Sequence, residues 1–271
     1  MIQATNGNFY GVSDGLPRVG TFNEDIFQFT PAGEFTVQFK SPNHDTPISG
    51  LTQGANGNLY GAFENIPAGL IDFFEVSAEG TGFVAFAPFT GLAGTTTIPS
   101  LFLASDGNLW DTNFEDSTAT LGSVFSINPQ NGAVLQTFAF DGANGNQPEV
   151  GVIQAADGTF VGTTTHRGTI SGESNEFADG TVWTLNAGLP APAPAITLLN
   201  STGGSVGTTV LINGHNFIGT TAVSFNGVAA SFQVLNTQFV SATVAAGATT
   251  GPIEVTNLGG TATSTQSFNV D

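Results

Sequence analysis

The chain has 271 residues, enough for one large domain or two ordinary ones, and 40% of them are hydrophobic, which argues against global disorder. With 21 Asp and Glu against 3 Lys and Arg the formal charge is −18, a surface that repels phosphate backbones and anionic lipid headgroups, so nucleic acid and membrane surfaces make poor partners. No cysteine is present, which excludes disulfides and thiolate metal sites, and no apolar run is long enough for membrane insertion.

From the N-terminus, the phrase NGNFYG (6–11) recurs as NGNLYG (56–61), DGNLWD (106–111) and DGTFVG (157–162). Its glycines, Gly7, Gly57, Gly107 and Gly158, are spaced 50, 50 and 51 residues apart, a period that marks a repeat architecture. Each phrase sits between two apolar segments and reads as strand, tight turn, strand. A third strand recurs as DIFQFTPAG (25–33), DFFEVSAEG (72–80), SVFSINPQNG (123–132) and TVWTLNAG (181–188). A fourth follows as EFTVQFK (34–40), TGFVAFA (81–87) and AVLQTFAF (133–140). Four antiparallel strands per unit describe a β-propeller blade, with repeats near 1–47, 48–97, 98–148 and 149–188. Phe27, Phe74, Phe125 and Trp183 hold one equivalent position and are expected to pack between neighbouring blades.

The last unit runs into a Pro/Ala linker (189–195) and lacks an outermost strand. An unpaired edge calls for a cover, from the following domain or by self-association. Four units suffice for a small four-bladed ring, which is the expectation here; they could equally be half of a larger ring completed by a second molecule.

Residues 151–164 (GVIQAADGTFVGTT) and 180–186 (GTVWTLN) resemble the Gloeo/Verruco tandem repeat of exported bacterial proteins. The resemblance extends over 1–188, with Ala62 and Asp111 standing where Thr and Gly are usual. It implies a propeller and carries no defined activity. Residues 196–271 resemble an IPT/TIG domain through GSVGTTVLINGHNF (204–217), AVSFNGVAASF (222–232), ATVAAGATTGPIEVTN (242–257) and GGTATSTQSFNV (259–270). That resemblance implies an immunoglobulin-like β-sandwich that spaces, docks or supports a neighbour, and the short alternating strands fit a sandwich independently. The expected fold is therefore all-β, a propeller followed by a sandwich.

In a propeller the loops between second and third strands open on the same face as the loops between blades. The ionisable residues of this chain collect there, as wet loops tend to make them do, and functional residues favour such loops too. For ligand binding, with a glycan in view, the candidates are Asp25, His44, Trp110, Asp111, Phe114 and Arg167. For a glycoside hydrolase, Glu64, Glu115, Asp116 and Glu173 are candidate carboxylates, which would have to flank the bond at about 5–10 Å. For polysaccharide lyase or lactonase chemistry, His166 is a candidate general base beside Arg167. Asp141, Asn144 and Asn146 offer oxygen ligands that would suit calcium, although no cofactor is required. There is no G-x-S-x-G elbow, P-loop or H-E-x-x-H. The expectation is an exported or cell-surface protein that binds a polysaccharide, with a secreted carbohydrate-active enzyme and a structural spacer as alternatives. The first residues carry no charged n-region or apolar h-region, so no signal peptide is read here, and an upstream part is taken to have been removed or the product to start abruptly.

Overall fold

The structure, a computed structural model, describes residues 1–13, 25–40, 46–47, 49–65, 70–79, 81–86, 101–114, 121–166 and 180–271. Among them every regular element is a β-strand. The chain divides into two compact units, residues 1–153 with 161–184, and residues 154–160 with 185–271.

The repeats form successive antiparallel meanders. The first is β1 (Ile2–Gln3), β2 (Phe9–Ser13), β3 (Asp25–Phe29) and β4 (Phe35–Lys40), hydrogen-bonded in that order. In the second, β5 (Thr46–Pro47) and β6 (Thr52–Gln53) both pair with β7 (Leu59–Asn65), followed by β8 (Leu70–Val76) and β9 (Val84–Ala85). The third is β10 (Phe102–Leu103), β11 (Leu109–Asn113), β12 (Ser123–Ile127) and β13 (Val134–Ala139). The fourth has three strands, β14 (Ile153–Gln154), β15 (Phe160–Thr164) and β16 (Thr181–Leu185).

The repeated phrase is a turn that closes on itself. Gly7, Gly57, Gly107 and Gly158 all have φ between 78° and 93°, which glycine adopts without a Cβ penalty. The Asn or Asp before each glycine accepts the N–H two residues on: Asn6 from Asn8 at 3.1 Å, Asn56 from Asn58 at 3.1 Å, Asp106 from Asn108 at 3.0 Å and Asp157 from Thr159 at 3.0 Å. In the first three repeats the same side chain also bonds the aromatic four residues on. Asn6 and Asn56 donate to the hydroxyls of Tyr10 (2.8 Å) and Tyr60 (2.9 Å), whereas Asp106, which has no donor, accepts from the indole N–H of Trp110 at 3.3 Å.

Strand alternation then gives each meander two faces. The leading face of each later sheet packs on the trailing face of the one before it. Phe74 and Leu59 share a core with Tyr10 and Ile26 of the first sheet. Phe125 and Leu109 share one with Tyr60, Ile71 and Phe73 of the second. Trp183 meets Phe140 edge-on at 5.5 Å. A Cβ at Gly11, Gly61 or Gly162 would run into the ring of Phe27, Phe74 or Trp183 respectively, so glycine at this position lets the third-strand aromatic lie across the second strand. The repeat unit is thus a series of meanders of three to five strands packed face on face.

The C-terminal unit contains two sheets. One joins β17 (Ala195–Leu199), β19 (Thr209–His215), β23 (Phe239–Thr243) and β22 (Ser231–Val234) in that order. The other joins β18 (Gly203–Gly204), β25 (Gly260–Val270), β24 (Gly251–Asn257), β20 (Ala222–Phe225) and β21 (Val228–Ala229). Val210, Ile212 and Val240 of the first sheet and Val223, Phe225, Ile253, Val255 and Phe268 of the second make one shared core. Residues of the Pro/Ala stretch are tied to this unit, since Asn257 donates to the carbonyl of Pro192 at 3.0 Å and Asn216 to that of Ala193 at 2.9 Å.

Candidate functional site

Polar groups gather at one end of the third and fourth repeats. In β11 the alternation places Asp111 opposite Phe125 and Asn113 opposite Ser123 on one face, and Trp110 and Thr112 on the other. All five residues of β11 are buried. Asp111 stands where the other repeats have glycine, and its Oδ1 accepts the N–H of Thr112 at 2.7 Å. The Asn113 amide is fully buried, and neither its Oδ1 nor its Nδ2 has a hydrogen-bond partner. A buried amide left this way forfeits its bonds to water, which costs about 1–3 kcal/mol.

The neighbouring backbone is drawn tight around this end. Thr112 donates its hydroxyl to the carbonyl of Val150 at 2.9 Å, which ties β11 to the approach of the fourth repeat. Gly122, with φ of 87°, lies so close to Pro148 and to the carbonyl of Asn113 that no Cβ would fit. Gln147 donates its N–H to Leu121 at 2.9 Å, and its carbonyl accepts both the N–H (3.1 Å) and the hydroxyl (3.0 Å) of Thr165. Next to it Asn146 and His166 are antiparallel partners, with Asn146 N–H donating to the His166 carbonyl at 3.0 Å. Residues opposed in this way carry their side chains on the same face. The Nδ1 of half-buried His166 is 3.0 Å from the Thr165 hydroxyl, and the Oδ1 of Asn146 is buried with no hydrogen-bond partner.

The structure therefore unites two residues with different expected roles, His166 as a base and Asn146 as a calcium ligand. The other two expected calcium ligands serve their own loop: Asp141 Oδ1 accepts the N–H groups of Ala143 (3.0 Å) and Asn144 (3.1 Å), and Asn144 Oδ1 accepts that of Asp141 (3.0 Å). Among the described residues no group of three His, Asp or Glu comes together to hold a metal.

Trp110 and Asp111 require correction. Both were expected on the open loop face, yet both lie inside β11 and are fully buried. Trp110 stacks on Phe138 at 6.2 Å. They point to opposite faces of the strand and both faces are buried, although the two residues adjoin a loop in sequence. Asp25 and Glu64 lie in strands rather than loops, at the start of β3 and near the end of β7, where Glu64 pairs with Thr46. Phe114 follows β11 directly and is half-buried. His44, Glu115, Asp116, Arg167 and Glu173 lie outside the described residues. Asn113, Thr112 and Gln147 escaped the sequence reading. The departure at Asp111 was visible, and period-2 counting from it leads to Asn113.

The repeated turn, the face-packed meanders and the all-β content define a tandem-repeat β protein. The chain belongs to the Gloeobacter/Verrucomicrobia repeat family, which it matches over residues 1–223. The match passes the last repeat and ends within β20 of the C-terminal unit. No curated protein matches the sequence. Among solved structures, the chain is similar to a Bacteroides caccae protein of unknown function (13% identity, TM-score 0.37, 58% of this chain and 52% of that one). It is similar also to TolB from Acinetobacter baumannii (14%, TM-score 0.40, 97% and 53%). A third is SGBP-B from a complex xyloglucan utilization locus in Bacteroides uniformis (13%, TM-score 0.30, 85% and 49%). The chain spans about half the length of each. With TM-scores this low, the functional reading rests on the chain's own residues.

Proposed function

We propose that this is an exported, cell-surface attachment protein that binds a neutral glycan at the paired end of the third and fourth repeats. The observation that carries the reading is the juxtaposition of His166, Thr165 and Asn146, with an unpartnered Asn146 oxygen among hydrogen-bonding groups. Amide, hydroxyl and imidazole groups offer both donors and acceptors, which is what a polyhydroxylated ligand exchanges for water. The net charge of −18 disfavours polyuronates and other anionic polymers, so neutral polysaccharides are the class that fits. The C-terminal unit serves as an IPT/TIG-type accessory sandwich that supports the repeats.

The test is a panel of neutral and acidic polysaccharides, with bound fraction and released product measured together. Binding of a neutral member that falls at least tenfold in H166A and N146A, without product release, supports the reading. Product release abolished by H166A would make the protein a carbohydrate-active enzyme instead, and equal retention of all polymers by the variants would remove the site.

A further inference from the structure

Equivalent positions in the repeats differ in how well they are covered, and the difference falls at the two ends of the array. On leading faces, Val76 and Ile127 are 1% exposed, whereas their counterpart in the first repeat, Phe29, is 41% exposed. Phe27 of that face is only partly buried and stacks at 5.5 Å on Phe35 of its own sheet. On trailing faces, Ile26, Phe73 and Val124 are 5%, 2% and 2% exposed, whereas their counterpart in the fourth repeat, Val182, is 71% exposed. Ile153 on the same face is 62% exposed. The first sheet thus presents an uncovered leading face and the last an uncovered trailing face.

We propose that these two faces are the halves of one interface and that a second copy of this chain completes it, head to tail, into a two-chain ring of eight sheets. The argument is continuity: a leading face already packs on a trailing face between each pair of successive repeats within the chain. The uncovered pair repeats that chemistry, with Phe27 and Phe29 on one side and Val182 and Ile153 on the other. Apolar sheet faces of this kind are interaction surfaces when left in water. A heterologous contact between copies either closes into a ring or propagates. Two copies bring the count to about eight sheets, within the range over which propellers close. The proposal is independent of the glycan reading, because it concerns sheet faces rather than the loop end.

Sedimentation velocity across a range of concentrations tests it, together with single-cysteine cross-linking, which the absence of native cysteine makes clean. The expected result is a species of twice the chain mass that falls at least tenfold in affinity in both F29D and V182D. In a mixture of F29C and V182C chains, a short bismaleimide should join one chain of each kind, while V182C alone stays uncross-linked. A monomer at all concentrations would overturn the proposal. So would open-ended oligomers, V182C joined to V182C, or an F29C/V182C double variant that cross-links within one chain and remains monomeric, which would mean a four-sheet ring.

Discussion

In the C-terminal unit two sheets turn one face each toward the other, so Val210, Val240, Phe225 and Phe268 are sealed within the unit that supplies them. In the repeat unit the sheets are apolar on both faces, and a face is sealed where a neighbouring sheet packs on it: Phe125 is buried against the second sheet, whereas Phe27 of the first sheet is only partly buried. The contrast is between a core that closes by itself and one assembled from nearest-neighbour contacts. In the second kind, stability depends on position in the array and end repeats are weakest.

The sharpest way to break that comparison is to delete the same aromatic in two places. Phe125→Ala should destabilise the repeat unit by about 3–5 kcal/mol, the usual cost of a large buried aromatic, while Phe27→Ala should cost less than about 2 kcal/mol. Urea denaturation followed by tryptophan emission reads this directly, since both tryptophans, Trp110 and Trp183, lie in the repeat unit. Equal losses in dilute protein would end the nearest-neighbour account. A Phe27→Ala cost that grows with protein concentration would instead mark cover by a second copy.

A change of similar or slightly smaller size tests the self-closed core. Phe225 packs edge-on against Phe268 at 5.3 Å, and Phe225→Ala should lower the stability of the C-terminal unit by about 3 kcal/mol while leaving the tryptophan transition where it was. Calorimetry should then resolve two transitions with only one moved. A shift of both would show that the units unfold together.

Much of this organisation was legible in the sequence, for physical reasons that particular residues illustrate. A glycine with positive φ is hard to replace, so Gly7, Gly57, Gly107 and Gly158 advertise the period. The site was less legible. Trp110 adjoins a loop in the chain but belongs to the inward face of β11, and proximity in sequence was mistaken for exposure. The Asn146 and His166 pairing depends on register between distant segments, which no local pattern encodes. Coverage of Phe29 and Val182 depends on what lies beyond the ends of the array, and composition is silent on that.

The smallest expected effect concerns a polar cluster at the turn end of the second repeat, where the nearest-neighbour core meets solvent. Glu75 Oε1 accepts from Asn56 (2.9 Å), Asn58 (2.6 Å) and the Tyr60 hydroxyl (2.8 Å). Burial pushes the Glu75 carboxyl up, but the hydrogen bonds from Asn58, Tyr60 and Asn56 together outweigh it and hold its pKa below the usual 4.5. Burial first, then the bond to Glu75, pushes Tyr60 up to about 12. A depressed carboxylate contributes stability that is complete above its unfolded pKa and is lost as pH falls through the folded value. A raised phenol contributes stability that is complete below about pH 10 and is lost as pH rises toward about 12. Solvent screening at this rim holds each contribution to about 1 kcal/mol or less. Protonation of the many other acids relieves repulsion across a chain of charge −18, so the useful quantity is a difference between variants rather than one profile. Relative to the native protein, Glu75→Gln should lose stability above pH 5 and converge with it in acid, while Tyr60→Phe should converge with it above about pH 12. If Glu75→Gln tracks the native protein at a constant offset through the acid range, the carboxylate is solvated there and the turn stands on its Asn and Gly residues alone.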